Sequence, residues 1–147
     1  MFISGSLLGW PTCSETVDPT IPRQYSGVAC GPACAEIVIG RSSVKQQIFS
    51  HAPYDAKNLA VHMSLFDKSW LPLLTESGSE EADIAVLCSE GLWISEHRRP
   101  GEMGHFVVVS QLMGSEIEVL DPFDQTRCKL LLKEFKKTWS GVSIAKV

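Results

Sequence analysis

Four residues of this chain have types and positions that could support nucleophilic catalysis by a thiol. Cys30 stands directly before a Gly-Pro pair at the predicted start of a short apolar helix, where free N–H groups and the helix dipole lower a thiol pKa. His105 opens the strand-like run HFVVV and is the candidate general base. Asp121 in VLDP can orient an imidazole, and the Gln24 amide can donate to an oxyanion. The set predicts a thiolate nucleophile with its base, orienter and oxyanion donor.

His105 is preferred among the four histidines because of its place at a strand start, after the glycine-containing stretch PGEMG. A histidine there is held by the sheet and still faces an edge or cleft. His51 and His62 lie in predicted helices, which is typical of surface or core residues. His97 ends a predicted strand beside two arginines, where a cation is disfavoured. The general base is therefore assigned to His105.

A predicted hairpin relates the base to its carboxylate. The strand that begins at His105 and the strand that ends at Asp121 are joined by a turn near Gly114 and Ser115. In such a hairpin His105 and Asp121 lie roughly opposite one another. A carboxylate at that place can hold the imidazole tautomer and stabilise the imidazolium.

The elements that must position these residues form an α+β arrangement, with helices first and an antiparallel sheet second. Residues 1–22 form an extended lead-in with at most one short strand, and residues 23–147 form the folded domain. Asp55 is a candidate N-cap, and Gly40 and Gly91 are candidate helix ends. The predicted helices are 31–40, 43–52, 55–66, 79–91 and a short one at 132–139; the predicted strands are 92–97, 105–113, 116–122 and 141–147.

Composition restricts the partners. The 147 residues carry a net charge of −4 and scattered basic residues, which disfavours nucleic acid as a partner. No apolar run has the length of a membrane span. The N-terminus lacks the positive region of a signal peptide. We therefore expect a cytoplasmic protein, or one exported as an effector without a Sec-type signal. No cofactor is expected, the substrate is a protein or peptide, and the oligomeric state stays open.

Five cysteines at irregular spacing do not indicate a disulfide framework, and we expect most of them to be reduced. One alternative is a metal site in which Cys30, Cys34 and a histidine are ligands, because a Cys-x3-Cys spacing puts both sulfurs on one helix face. A second ligand pair at suitable spacing is missing. A further alternative is a small α+β domain whose cysteines only fill its core.

Three motifs together resemble papain-like cysteine peptidases. They are Q-x5-C-G-P-A-C at Gln24 to Cys34, GHFVVV at Gly104 to Val109 and VLDP at Val119 to Pro122. The pattern is most similar to the bacteriocin-leader peptidase domain, which removes double-glycine leaders in peptide-exporting ABC transporters. EFKKTWSG, residues 134–141, resembles the closing segment of that family. The resemblance covers the chain from about residue 20 to its end.

The resemblance implies Cys30 as nucleophile, His105 as general base and acid, Asp121 as orienter and Gln24 as oxyanion-hole donor. It also implies a two-lobed fold with the site in the cleft between a helical lobe and a sheet lobe. The chain departs from the family at Ala29, where leader peptidases usually have an acid, and no transporter segment follows, so we expect a free-standing domain.

Small papain-like bacterial effectors and toxins share the same core and widen the expected reactions. They act as proteases, glutamine deamidases or acyl transferases, and differ in the acceptor that attacks the acyl-enzyme. We expect hydrolysis of a peptide or amide bond. A deamidase, an acyl transferase and an inactive peptide-binding module are the alternatives.

Overall fold

The computed structural model describes residues 10, 12–23, 30–40, 55–65, 72–76, 84, 87–89, 91–97 and 105–146. The elements with defined bounds are β1 (Ser14–Val17), α1 (Cys30–Ile39), α2 (Ala56–Ser64), β2 (Pro72–Glu76), β3 (Trp93–His97), β4 (His105–Met113), β5 (Glu116–Asp121), β6 (Thr126–Leu131), α3 (Leu132–Thr138) and β7 (Trp139–Lys146). Helices and an antiparallel sheet confirm the α+β prediction.

Helix α1 begins and ends where the sequence predicts. Pro32 lies in its first turn, where the missing N–H costs no hydrogen bond. Small buried side chains at positions 33–35 let the helix lie close to the sheet. Gly40 ends the helix at a φ of 66°, a left-handed conformation that glycine adopts without strain, and its N–H donates to the Glu36 carbonyl at 2.9 Å.

Helix α2 confirms the predicted cap. The Asp55 side chain accepts from the Asn58 N–H at 2.7 Å, which satisfies one of the free donors of the first turn. Leu59 and Met63, one turn apart, are fully buried. The helix therefore packs through one apolar stripe, as the sequence spacing indicates.

The seven strands form one sheet in the order β1-β6-β5-β4-β3-β7-β2, and every neighbouring pair is antiparallel. The predicted hairpin is confirmed, with β4 and β5 joined at Gly114, whose φ is 64°. Because β4 and β5 are antiparallel, the first residue of β4 and the last residue of β5 lie at the same end of the sheet.

Both faces of the sheet are covered, and this explains why the run Phe106–Val109 is apolar throughout instead of alternating. Phe106 and Val108 lie in a core with α1 and α2. Val107 and Val109 lie in a second core on the other face. That second core also holds Phe135 of α3 and Trp10 of the lead-in.

Two strands of the structure, β2 and β6, were not predicted from the sequence. β6 alternates buried residues with the more exposed Arg127, Lys129 and Leu131, a period-2 pattern typical of a strand that the sequence predictions do not include. β2 begins with Pro72 and lies at the edge of the sheet beside β7. The predicted helix 43–52 lies outside the described residues. Of the predicted helix 79–91, residues 84 and 87–89 are helical, and Gly91 follows at a φ of 110°.

The lead-in supplies the one short strand that the prediction allowed. β1 pairs with β6 at the edge of the sheet, and Cys13 just before it forms a disulfide with Cys128. The other three cysteines are free, so the expectation that most are reduced is confirmed. No helix within the described ranges has the length and hydropathy needed to cross a membrane.

Candidate active site

Cys30 is the first residue of α1 and is half-buried. At this position its thiol lies beside the free N–H groups of the first helical turn, which favour a negative charge. The backbone N–H of Phe106 on β4 also donates to the sulfur. This last contact comes from the backbone of another element, so no side-chain pattern in the sequence could have indicated it.

His105 opens β4 and its side chain is 12% exposed. Its Nε2 lies 3.1 Å from Oδ1 and 3.2 Å from Oδ2 of Asp121. The imidazole also forms a side-chain hydrogen bond with Cys30. Because Nε2 faces the carboxylate, Nδ1 is the ring nitrogen left for the sulfur. The imidazole therefore bridges the thiol and the carboxylate.

Asp121 is the last residue of β5 and is fully buried. Its Oδ1 accepts a hydrogen bond from the Phe123 N–H at 2.9 Å, in addition to the contact with His105. A second, fixed donor restrains the carboxylate, so it can hold the imidazole in one orientation.

One irregularity in the β4–β5 ladder determines the relation between these two strands. Val109 pairs with Val119, but Gln111 pairs with Glu118, so β4 has one extra residue, Ser110. The Ser110 hydroxyl donates to the Glu118 carboxylate at 2.7 Å. The ladder therefore contains a β-bulge with a hydrogen-bonded serine at its centre.

The bulge decides on which face of the sheet Asp121 lies. Val108 pairs with Leu120, and the same register carried onward puts Asp121 opposite Val107 and diagonal to His105. His105 and Asp121 then share a face. Without the bulge at Ser110, the pairing of Gln111 with Glu118 would continue and put Asp121 opposite Val108, on the other face of the sheet. His105 and Asp121, which the sequence predicted to lie roughly opposite one another, are thus in diagonal contact.

Charge and burial act against each other on the Cys30 thiol. Burial by itself would raise its pKa, but the hydrogen bond from His105, the charge of His105 and the Phe106 N–H together hold the pKa below its ordinary 9.0. This arrangement favours a thiolate.

Burial also opposes the charged form of His105, and the neighbours outweigh it. The charge and the hydrogen bond of Asp121, followed by those of Cys30, raise the pKa of His105 from 6.5 to about 10. The geometry therefore favours a thiolate–imidazolium pair held by a carboxylate.

Cys34 differs from Cys30 in every respect that matters for reactivity. It is fully buried one turn further along α1, and burial raises the pKa of its thiol well above 9.0. Burial likewise raises the pKa of Cys88, in spite of a hydrogen bond from Trp93. Within the described ranges, no cluster of three or more potential metal ligands occurs. Cys30 and Cys34 are therefore not equivalent, whereas a shared metal site would require both thiols to be available as ligands.

Gln24 and His51, two of the residues discussed from the sequence, lie outside the described residues. His62 lies on α2, away from the described contacts of Cys30 and His105. The structure thus brings together three of the four candidate residues, and the role of Gln24 stays a prediction.

Comparison with protein families shows a match in the part of the chain that forms β3 to β7. Residues 93–146 match the Peptidase C39 family. The matched range runs from β3 to β7 and includes His105 and Asp121.

A longer match occurs to a protein named cysteine protease effector 1 from Escherichia coli O1:K1:H7. The two are 25% identical over 141 residues, which cover 93% of this chain and 29% of that protein. The chain therefore spans less than a third of the length of this relative.

The fold is similar to the crystal structure of a double glycine motif protease from an AMS/PCAT transporter in complex with the leader peptide. The TM-score is 0.63, with 17% sequence identity and 90% of each chain covered. This match confirms the predicted papain-like fold. Together the three matches confirm the predicted resemblance to cysteine peptidases of the double-glycine type.

Proposed function

We propose that the chain is a papain-like cysteine hydrolase that cleaves a peptide or amide bond through Cys30, His105 and Asp121. The observation that carries this proposal is the position of His105, which contacts Asp121 at 3.1 Å through Nε2 and forms a hydrogen bond with Cys30. A thiol at a helix start, a base and an orienting carboxylate are the parts that nucleophilic catalysis needs.

In the first step the Cys30 thiolate attacks the carbonyl carbon of the bond to be cleaved. The backbone N–H of Cys30 and the side-chain amide of Gln24 stabilise the oxyanion that forms. The His105 imidazolium gives its Nδ1 proton to the leaving nitrogen, and the C–N bond breaks. Asp121 remains a carboxylate throughout and holds Nε2–H. The product is a thioester on Cys30 and a free amine.

In the second step a water molecule attacks the thioester, and the now neutral His105 takes one of its protons. Collapse of the intermediate releases the acid and restores the thiolate–imidazolium pair. An amine in place of water would give a transferase, and a glutamine side chain as substrate would give a deamidase. The three reactions use the same residues of this chain, so only the products distinguish them.

A peptide substrate is supported by two observations. The similar protease was solved with a leader peptide bound. In this chain, a groove of about 380 Å³ runs along α1 next to β5 and β6, with Ile21, Ile37 and Leu120 as apolar lining and Arg127 as a polar one. The groove is lined by residues of β5, the strand that ends at Asp121, and lies on the α1 side of the sheet.

The test compares Cys30→Ala with Cys34→Ala. Each variant and the wild type are incubated with a bacterial lysate, and the peptides are analysed by mass spectrometry for cleavage, deamidation and conjugation. We expect Cys30→Ala to lose turnover by several orders of magnitude, because it removes the nucleophile. Cys34→Ala should retain most of it, since Cys34 only packs in the core. Equal losses in the two variants would contradict the assignment.

Iodoacetamide separates an enzyme from an inactive binding module of the same fold. A thiolate–imidazolium pair should make Cys30 the first cysteine to be alkylated near neutral pH, as identified by peptide mass spectrometry. Slow labelling without preference among Cys30, Cys34 and Cys88 would favour the binding module.

A further inference from the structure

His97 is a fully buried histidine that the proposed reaction does not use. It ends β3, and hydroxyl groups lie at both ring nitrogens. Nε2 is 2.9 Å from Ser95 Oγ, and Nδ1 is 2.8 Å from Thr138 Oγ1. Both polar atoms of the ring are therefore satisfied inside the protein.

The contacts of Thr138 fix the tautomer of His97. The Thr138 hydroxyl donates to the Phe135 carbonyl at 3.3 Å and accepts from Trp10 Nε1 at 3.0 Å. A hydroxyl has one proton, and with that proton directed at the Phe135 carbonyl it accepts from His97, which assigns the ring proton of His97 to Nδ1. Nε2 accepts from Ser95. The hydrogen bonds thus select one neutral form of the ring.

Aromatic rings hold the imidazole in place. The His97 ring meets Phe135 edge-on at a centroid distance of 4.6 Å and Trp10 at 5.2 Å. Contacts of this geometry from two different segments, together with both hydrogen bonds, leave the ring no other rotamer without loss of packing.

The strand register places this fixed ring beside His105. His97 and His105 are direct partners in the β3–β4 ladder. Opposite residues of antiparallel strands project from the same face with Cβ atoms about 5 Å apart. Asp121 contacts His105 from β5, the strand on the other side. His105 therefore has His97 on one flank and Asp121 on the other.

The charge of His97 fits this position. Burial, and then the charge of His105, hold the pKa of His97 well below 6.5. Among the described residues, His105 is the titratable group whose charge acts on His97. The side chains that contact the His97 ring are the uncharged Ser95, Thr138, Phe135 and Trp10. A neutral ring can lie beside the imidazolium without repelling it.

We propose that His97 is a positioning residue that fills the β3 flank of His105 and so keeps the imidazole turned toward Asp121 and Cys30. The proposal rests on the proposed function of Cys30 and His105. On this proposal, removal of His97 opens staggered χ1 positions for His105 on its β3 side. If three such positions were equally open, the productive one would hold about a third of the molecules.

The test measures the alkylation of Cys30 by iodoacetamide at acid and at alkaline pH, with the site identified by peptide mass spectrometry. At acid pH the alkylation rate measures the fraction of Cys30 that is a thiolate because it is paired with the His105 imidazolium. At alkaline pH the thiolate forms without that pairing. We expect the acid-to-alkaline rate ratio to fall about threefold in His97→Ala, with rescue in His97→Gln, whose amide is neutral and of similar size.

Ile117→Ala is the matched control, because it opens a cavity in the same core away from His105. It should leave the ratio unchanged. If His97→Ala does not fold, His97→Asn keeps a polar atom near Thr138 while it opens the flank, and the same fall is expected.

The outcomes separate the two proposals. An unchanged ratio in the folded His97 variants, with a reactive wild type, would overturn the positioning role alone. A wild-type Cys30 that is unreactive at acid pH would overturn the thiolate–imidazolium pair, and the role of His97 with it. An equal fall in Ile117→Ala would show a general effect of cavities and would also overturn the role of His97.

Discussion

The strongest test of the thiolate–imidazolium pair needs no substrate, because the pair changes how folding stability depends on pH. The perturbation is Cys30→Ala. The pKa of His105 is raised from 6.5 to about 10 in the folded chain. By itself His105 contributes stability that is fully present below 6.5 and is lost as the pH rises through about 10.

Cys30 acts in the opposite direction. Its pKa is lowered from 9.0, so it contributes stability that is present above 9.0 and is lost as the pH falls through the lowered value. At pH values above both 6.5 and the lowered pKa of Cys30, and below 9.0, the folded chain holds one proton more on His105 and one fewer on Cys30 than the unfolded chain. The two effects cancel, and the stability of the wild type should vary little with pH in this window.

Cys30→Ala removes one side of this balance. The charge and hydrogen bond of Asp121 still favour a proton on His105, whereas the contributions of Cys30 to the raised pKa of His105 are lost. Stability should therefore fall by about 1.4 kcal/mol per pH unit as the pH rises above 6.5, over the range in which the folded variant still holds this proton. Urea denaturation at a series of pH values measures this slope for the wild type and the variant. Cys34→Ala is the control, because its pKa is above 9.0 in the folded chain and both states keep the proton.

Two results would refute the reasoning. If Cys30→Ala is as insensitive to pH as the wild type, Asp121 does not hold a proton on His105. If the wild type loses stability as steeply as Cys30→Ala, the Cys30 thiol keeps its proton in the folded state.

Two further perturbations give independent tests. Asp121→Asn removes the charge that contributes most to the raised pKa of His105, so less of Cys30 should be paired thiolate near neutral pH. The rate of Cys30 alkylation by iodoacetamide at neutral pH, relative to the rate at alkaline pH, should therefore fall, and an unchanged ratio would exclude this coupling. Cys13→Ser opens the disulfide with Cys128, which closes a loop of 115 residues, and should cost about 2–4 kcal/mol of unfolding free energy. Dithiothreitol should then destabilise the wild type in urea but not Cys13→Ser, whereas an equal effect on both would contradict a contribution of the disulfide.

Local patterns in the sequence were sufficient for most of the elements near the site. The caps and ends of α1 and α2 depend on residues within one helical turn, so Asp55 and Gly40 could be assigned from neighbouring residues. The β4–β5 hairpin follows from its turn and its apolar strands in the same way. β2 was not predicted because it begins with a proline and lies at the edge of the sheet. β6 was not predicted although its residues alternate between buried and more exposed positions.

The lead-in shows the limit of local reading. Trp10 lies in a core with residues of α3 and β3, and Cys13 pairs with Cys128 at the other end of the chain. Neither contact has a signal in the residues around it. Both depend on where β6 and α3 lie in the folded sheet.

By itself, the sequence determined which residue types are available for catalysis, their order, and the separation of Cys30 at a helix start from Cys34 one turn inside. These features are local, because a helix end and a turn are specified by adjacent residues. The tertiary structure decided which of these residues meet. A single extra residue at Ser110 puts Asp121 on the face of His105, and strand pairing puts His97 beside it. Register is a property of two strands together, so only the folded sheet could decide it.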